Sequence, residues 1–592
     1  MIKTRLKSLR AEMAQRGIDA YIINSADPHL SEYVAPRYKS RKWISGFTGS
    51  AGTVVITQAK AGLWTDGRYF IQAATELEGS GIELFKMRMP GVPTYFDWIK
   101  ENLEVGNCVG FDGKAFSVAN VKLMQKTWKT KSIDLKFEED LLENIWLDRP
   151  AIPQTPAIEH ELTYCGKSRI EKFMEIRVKL KDDNVDALIV SALDEIAWLF
   201  NIRGNDVECS PVTLAFGILQ ANKAHLFIGA AKLSSELITS LTKDHVKIHP
   251  YHEIYTFLEQ LQEMKKVQFA ANSTNHLLYS SLPEEITKHE NNFLISKLKA
   301  KKNATEVANL KATLKTDMIA LTKFICWLKR NIGTQTITEI SATDKLLEFR
   351  QQSPLFRENS FTPISAFGAN AAMMHYSADE KSNATFQENG FYLIDSGGQY
   401  LSGTTDITRT IAFGDLTYEQ KRDFTLVLKG VIDLSSAKFL DGTTGANLDI
   451  LARMPVWKHG IDYKCGTGHG VGFYLNVHEG PQNFSQSLVN IPFEPGMITT
   501  VEPGVYLEDQ YGIRTENMLL TVEAGETDFG KWLEFETISF CPIDVEAILP
   551  ELLTREQLDW INNYHAEVYE NLALEIDETE RAQLQKMTAP LS

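Results

Sequence analysis

Asp395 and Asp406 both lie in the stretch "LIDSGGQYLSGTTDITRT", and each adjoins a segment that reads as a buried strand. The apolar run Phe391, Tyr392, Leu393, Ile394 leads into Asp395, and Asp406 opens an alternating Thr/Ile segment. The two acids are symmetric about Tyr400–Leu401, so a turn there sets them opposite one another. Directly opposed residues hold their Cβ atoms roughly 5 Å apart. Two ionised carboxylates at that spacing repel unless one is protonated or something positive lies between them. Taken alone, the hairpin leaves open a protonated pair, a shifted register with one Asp in solvent, and a cation site.

Three later segments weigh on that choice. "CGTGHGVGFYLNVHEGP" places His469 and His478 among glycines, which let backbone and ligand approach closely. "PGMITTVEPGVY" ends an apolar run on Glu502, and "YGIRTENMLLTV" puts Glu516 in a strand-like segment, with Arg514 two residues earlier on the same face. A Glu at the end of a buried strand is an expensive residue. Four acids and a His in one core require a cation. Hard carboxylate oxygens with a single imidazole suit Mn, Zn, Co or Fe(II) rather than copper, and four carboxylates can bridge two ions, as in binuclear hydrolases. Arg514 is expected to partner an acidic ligand.

The elements that must position these residues belong to a long chain. Its 592 residues call for two to four domains. A hydrophobic content of 43% with 23% charged residues is that of an ordinary globular protein. The net charge of -16 argues against nucleic-acid partners and anionic membrane surfaces. Six scattered cysteines, without any C-x-x-C, suit a reducing compartment. The amphipathic N-terminus has no signal-peptide core, and no stretch of about 18 apolar residues is present to span a membrane. A cytoplasmic location is expected.

"RLKSLRAEMAQRGIDAYIINSADPHLSEY" and "RIEKFMEIRVKLKDDNVDALIVSALDEIAWLF" each read as an amphipathic helix, a short turn and an apolar strand. Asp19 and Asp186 align, at a distance too long for a solenoid repeat, so two related α/β domains in tandem are expected. "DRPAIPQTPAI" (148–158) reads as a linker. A second boundary falls near 301, where Asn303 or Thr305 can cap a long helix. Beyond it, glycine-rich turns alternate with short strands, and the last fifty residues read as an acidic helical appendage.

With these residues in view, the chain resembles the "pita-bread" metallopeptidases, specifically the long, three-domain, cytosolic aminopeptidase P (Xaa-Pro aminopeptidase) family. The resemblance runs through "SGFTGSAGTVVIT", "WTDGRYFIQAA", "ALDEIAWLFNIRG", "YLIDSGGQYLSGTTDITRT", "GTGHGVGFYLNVHEGP" and "EPGVY". It implies a multidomain α/β (α+β) chain with creatinase-like domains over 1–147 and 159–300 and a pita-bread catalytic domain over 301–592. It implies Asp395 as the bidentate ligand of one metal, Asp406 and Glu516 as bridging carboxylates, and His469 with Glu502 completing the second site. The two divalent ions implied are manganese. His375 in "ANAAMMHYS" resembles the family's substrate-facing histidine, and His478 the one that bonds the scissile carbonyl region. Arg68 in "WTDGRYF" resembles an arginine that meets the far end of a bound peptide. His375, His478 and Arg68 are thus the implied substrate-binding residues, and a homodimer through the C-terminal domain is implied as well.

Two features depart from the shorter members: His469 and His478 lie nine residues apart rather than seven, and Cys465 stands where many relatives carry another histidine. Cys465 reads as a small buried residue rather than a ligand, and His29, His252 and His459 read as structural or surface residues. The activity implied is removal of the first residue from short peptides with proline in second position, by water activated between the two metals. Glu502 is expected to relay the proton to the leaving nitrogen, with His375 and His478 steadying the intermediate. The alternatives are a prolidase limited to Xaa-Pro dipeptides, a creatinase-like hydrolase, and a metal-free binding protein of the same fold.

Overall fold

The computed structural model describes residues 1–592. Asp19 and Asp186 do the same work in it. Asp19 accepts the backbone N–H of Cys108 on Oδ2 at 2.8 Å, and Asp186 accepts those of Lys265 and Lys266 at 2.7 and 2.9 Å. Each ties the start of a central strand, Ala20–Ile23 or Ala187–Val190, to a parallel neighbour, Cys108–Phe111 or Lys266–Phe269. Both strands follow an amphipathic helix, Ile2–Gln15 or Arg169–Asp182, that buries Leu6, Leu9 and Met13 or Phe173, Ile176 and Leu180.

The two six-stranded sheets share one topology. On one side of the central strand come two antiparallel neighbours and then a parallel edge; on the other come two parallel strands. The expected tandem of related α/β folds is therefore present. The two sheets belong to one compact unit, Met1–His160 with Lys167–Ile295. His29 helps to join them: its Nδ1 meets the Ser191 carbonyl and its Nε2 the Tyr251 hydroxyl, both at 2.8 Å.

The second unit comprises Glu161–Gly166 and Ser296–Ser592. It opens with the long helix Ala304–Asn331, capped by Asn303 in a reciprocal box with Glu306. A three-stranded sheet, Ile364–Phe367, Gly390–Ser396 and Ile407–Phe413, packs its apolar side on this helix through Phe324, Tyr392 and Ile407. A six-stranded sheet carries Gly468–Gly470, Ile498–Val501 and Asn517–Thr527. Helices Tyr418–Ser435 and Gly445–Trp457 bury a further cluster against it, including Val431, Leu448 and Phe484. Helices Arg555–Leu572 and Glu578–Met587 close the chain, as the terminal segment led one to expect. No helix is long and apolar enough to cross a membrane.

Two expectations are corrected. Asp395 pairs with Thr408 and Ser396 with Ile407, so Asp395 and Asp406 do not oppose each other. The register is offset by two residues because Gly398–Tyr400 and Gly403–Thr404 leave the main sheet to form a small sheet with Phe356–Asn359. An offset of two keeps side-chain parity, so both acids still belong to one face. Glu516 is also not within a strand: it occupies the break between Tyr511–Arg514 and Asn517–Thr527.

Candidate metal centre

Each acid sits where a strand ends and its backbone is fixed by a neighbour. Asp395 is the penultimate residue of Gly390–Ser396, and Asp406 directly precedes Ile407–Phe413. Glu516 donates its N–H to the Thr408 carbonyl at 3.2 Å, and its own carbonyl accepts from Arg409 Nη1 at 2.5 Å. Glu502 follows Ile498–Val501 and donates its N–H to the Thr467 carbonyl at 2.7 Å. His469 lies on the adjoining Gly468–Gly470 and donates its N–H to Thr500 Oγ1 at 3.1 Å. Gly468 is required at this crossing, since a Cβ there would stand 1.9 Å from the Thr500 carbonyl oxygen.

The result is convergence. Asp406, His469 and Glu516 each present a ligand atom within 4.8 Å of the other two. His469 Nε2 lies 3.3 Å from Asp406 Oδ2 and 3.5 Å from Glu502 Oε1. Asp395 stands just outside this triplet, with Oδ2 taken by Arg514 Nη2 at 2.6 Å. Its Oδ1 is buried and has no hydrogen-bond partner. Arg514 also donates to Thr408 Oγ1 and Tyr506 Oη at 3.2 and 2.6 Å, and Thr408 Oγ1 donates to Glu516 Oε2 at 2.7 Å.

The electrostatics of the cluster are strained without a cation. Burial pushes the Asp395 carboxyl up to about 6, with Asp406 and Glu502 adding to the shift and Arg514 opposing it. Burial, then Asp406, Glu502 and Asp395, hold Glu516 well above the usual carboxylate range. For His469, burial pulls down, but the bond to Asp406 and the charges of Glu502 and Asp406 prevail and raise it to about 9. A buried, unpartnered carboxylate oxygen beside like charges is the environment that a divalent cation relieves. Hard oxygens with one imidazole suit Mn, Zn, Co or Fe(II). The residues present therefore fit a metal centre.

Around the cluster, His478 stacks edge-on to His469 with ring centroids 4.3 Å apart. His375 is half-buried on the loop after the turn Gly368–Ala372, next to Tyr376. Cys465 is half-buried, and burial together with the charge of Glu502 pushes its thiol up to about 12. A thiol in that setting is neutral at pH 7. Arg68 belongs to the other unit, where Asp66 receives its guanidinium through two bonds of 2.8 Å. His252 and His459 are exposed.

Several supporting residues carry no sequence signal of their own. Glu339, Asp317, Arg350 and Arg409 are all buried and each joins separate segments. An acid opening a helix reads as a capping residue, and that is how Glu339 looks in "TITEISATD".

Comparison with known proteins adds the lineage. Residues 5–140 and 148–306 match Creatinase/Prolidase N-terminal domain models. Residues 308–523 match metallopeptidase family M24, and 531–591 match the C-terminal region of peptidase M24. "Probable Xaa-Pro aminopeptidase P" of Aspergillus flavus is 40% identical over 607 residues, covering 99% of this chain and 92% of its own. The chain belongs to the Xaa-Pro aminopeptidase P family. "Aminopeptidase P1" of Arabidopsis thaliana, another relative, is 37% identical, with 99% of each chain covered. The crystal structure of an X-prolyl aminopeptidase from Caenorhabditis elegans, described as a cytosolic enzyme with a di-nuclear active site, covers 100% of both chains at 33% identity and a TM-score of 0.96. An Xaa-Pro dipeptidase from Bacillus anthracis covers 64% of this chain at 24% identity and a TM-score of 0.50, a likeness of fold alone. The architecture of the aminopeptidase P family, creatinase-like domains followed by a pita-bread domain, is thus that of this chain.

Proposed function

We propose that this protein is a metal-dependent Xaa-Pro aminopeptidase that releases the first residue from short peptides with proline in second position. Asp395, Asp406, His469, Glu502 and Glu516 hold two divalent cations, manganese by preference. The observation that carries this reading is the approach of Asp406, His469 and Glu516 to within 4.8 Å in a chain that corresponds end to end with aminopeptidase P relatives. That full-length correspondence disfavours a prolidase, and the partnerless Asp395 Oδ1 disfavours a metal-free binding protein.

Bound ions would supply Lewis-acid polarisation of the scissile carbonyl and lower the pKa of the attacking water. The residues of the chain do the rest. Glu502 accepts the water proton and delivers it to the proline nitrogen, which must be protonated to leave as an amine. His478, packed on His469, and His375, on its half-buried loop, donate to the oxyanion that forms at the carbonyl. Arg514 keeps Asp395 ionised and aimed by taking one of its two oxygens.

Helix Gly445–Trp457 exposes Ile450, Met454 and Trp457, which share one helical face. Met454 also borders a groove of about 500 Å³ with Leu426, Ile432 and Trp560. This surface supports a homodimer through the C-terminal domain, and the likeness to the cytosolic Caenorhabditis elegans enzyme supports a cytosolic location.

The test is elemental analysis of the purified protein together with cleavage of Arg-Pro-Pro and Arg-Ala-Ala, in wild type and in Asp406→Asn. Two ions per chain, release of arginine from Arg-Pro-Pro alone, and loss of at least one ion and most turnover in the variant are expected. Equal release from both peptides would point to a general aminopeptidase, and full metal content with normal turnover in Asp406→Asn would remove the bridging role.

A further inference from the structure

Next to the strands that carry Asp395 and Asp406 lies an ion pair that the reaction itself does not use. Asp317, on Ala304–Asn331, and Arg350, the last residue of Glu339–Arg350, have no exposed side-chain surface and meet at 2.7 Å. A buried ion pair is not in itself a gain in stability, because desolvation offsets its attraction. Its contacts indicate a different role. Asp317 Oδ1 accepts from Arg350 Nε at 2.7 Å and Tyr400 Oη at 2.8 Å. Its Oδ2 accepts from Thr405 Oγ1 at 2.8 Å and Arg350 Nη2 at 3.2 Å. Arg350 Nη2 donates in addition to Ser396 Oγ at 3.1 Å.

The pair therefore grips the residue after Asp395 and the residue before Asp406. Between those two points the chain crosses itself. Gly398 N–H donates to Thr405 Oγ1 at 2.8 Å, Thr405 N–H donates to the Gly398 carbonyl at 3.0 Å, and a Cβ on Gly397 would stand 1.8 Å from the Thr405 carbonyl oxygen. Two like-charged carboxylates tend to separate whenever no cation lies between them, and metal ligands must be held within about 0.5 Å of productive geometry. The Asp317–Arg350 pair can resist that separation. It is neutral as a whole, so it braces the strands without competing for their carboxylates, in contrast to Arg514.

We propose that Asp317 and Arg350 are positioning residues of the metal centre, which fix the separation of Asp395 and Asp406 through Ser396 and Thr405 and thereby set the affinity for the second cation. The proposal rests on the reading of the five residues as metal ligands, and its test separates the two. Mn2+ alone is titrated calorimetrically into chelator-treated full-length protein, and the spin-coupled two-manganese signal is followed by electron paramagnetic resonance. Asp317→Asn keeps the shape of the side chain but removes its charge, and Thr405→Val deletes one hydroxyl from the clamp. Both are expected to weaken binding of the second ion about tenfold or more and to diminish the coupled signal. Tyr392→Phe, which deletes a buried hydroxyl on the same strand away from the clamp, leaves both unchanged. Where Asp317→Asn folds poorly, Thr405→Val decides. Wild-type affinity and coupling in Thr405→Val, even with a lower metal-free melting temperature, would reduce the pair to packing. Failure of the wild type to take up Mn2+ would instead overturn the metal reading, and this proposal with it.

Discussion

Arg514 and Asp395 form a buried ion pair 2.6 Å long, with Arg514 Nη2 on one carboxylate oxygen while the other oxygen has no partner. The guanidinium is the permanent cation of the site. Removing one member of a buried pair costs about 3–5 kcal/mol when the remaining charge is left uncompensated. In Arg514→Met a divalent cation can supply the missing compensation. The metal-free variant should therefore melt well below wild type, and the rise in melting temperature on adding Mn2+ should exceed that of wild type. An equal loss in both forms, measured by differential scanning fluorimetry, would mean that Arg514 acts through packing alone.

Protonation of the metal-free cluster sets a pH dependence. Burial and its acidic neighbours raise Glu516 well above the ordinary 4.5, and His469 is raised from 6.5 to about 9, so His469 carries a proton at neutral pH and Glu516 keeps its own to higher pH than an ordinary carboxyl. Ligands bind metal deprotonated, so loading at pH 7 should release protons, that of His469 among them. Both folded pKa values lie above the unfolded ones. The stabilisation that His469 draws from its acidic partners is thus complete below its unfolded value and is lost as pH rises towards about 9, while the penalty on ionised Glu516 grows as pH rises above its unfolded value. The gain in melting temperature from Mn2+ should accordingly grow from about pH 5 to pH 9. Calorimetry in two buffers of different ionisation enthalpy checks the release; a binding heat independent of buffer contradicts it.

Glu339 secures the loop that carries His375. Its Oε1 accepts from Phe367 N–H at 2.7 Å and Asn370 Nδ2 at 3.0 Å, and its Oε2 from Tyr376 Oη and Ala384 N–H, both at 2.8 Å. Glu339→Gln replaces an acceptor oxygen by a donor, leaving a buried partner unsatisfied at a cost of about 1–3 kcal/mol. Loosening of the loop should lower kcat on Arg-Pro-Pro by about tenfold or more with metal content unchanged. Normal kcat in a folded variant would separate this loop from the chemistry.

The exposed face of Ile450, Met454 and Trp457 makes the assembly testable. Trp457→Glu should shift sedimentation from dimer to monomer while leaving the metal content of each chain intact. A monomeric wild type would assign that face to something else.

The sequence alone determined the parts of this protein that depend on local pattern. Helix and strand periodicity delivered the duplicated front domains and aligned Asp19 with Asp186, whose matching backbone bonds are seen only in the folded chain. Acids at the end or in the middle of strand-like segments singled out Asp395, Glu502, Asp406 and Glu516, because a carboxylate in such a place needs a partner. Parity along a strand is a period of two, so the shared face of Asp395 and Asp406 survived a register error of two residues. Tertiary structure alone decided the register itself, since the excursion to Phe356–Asn359 depends on a strand distant in sequence. It also decided which charges meet: Asp317 finds Arg350 33 residues away and Arg514 finds Asp395 119 residues away. Buried ion pairs of this kind leave no periodic trace, because their partners are chosen by chain packing rather than by spacing along the chain.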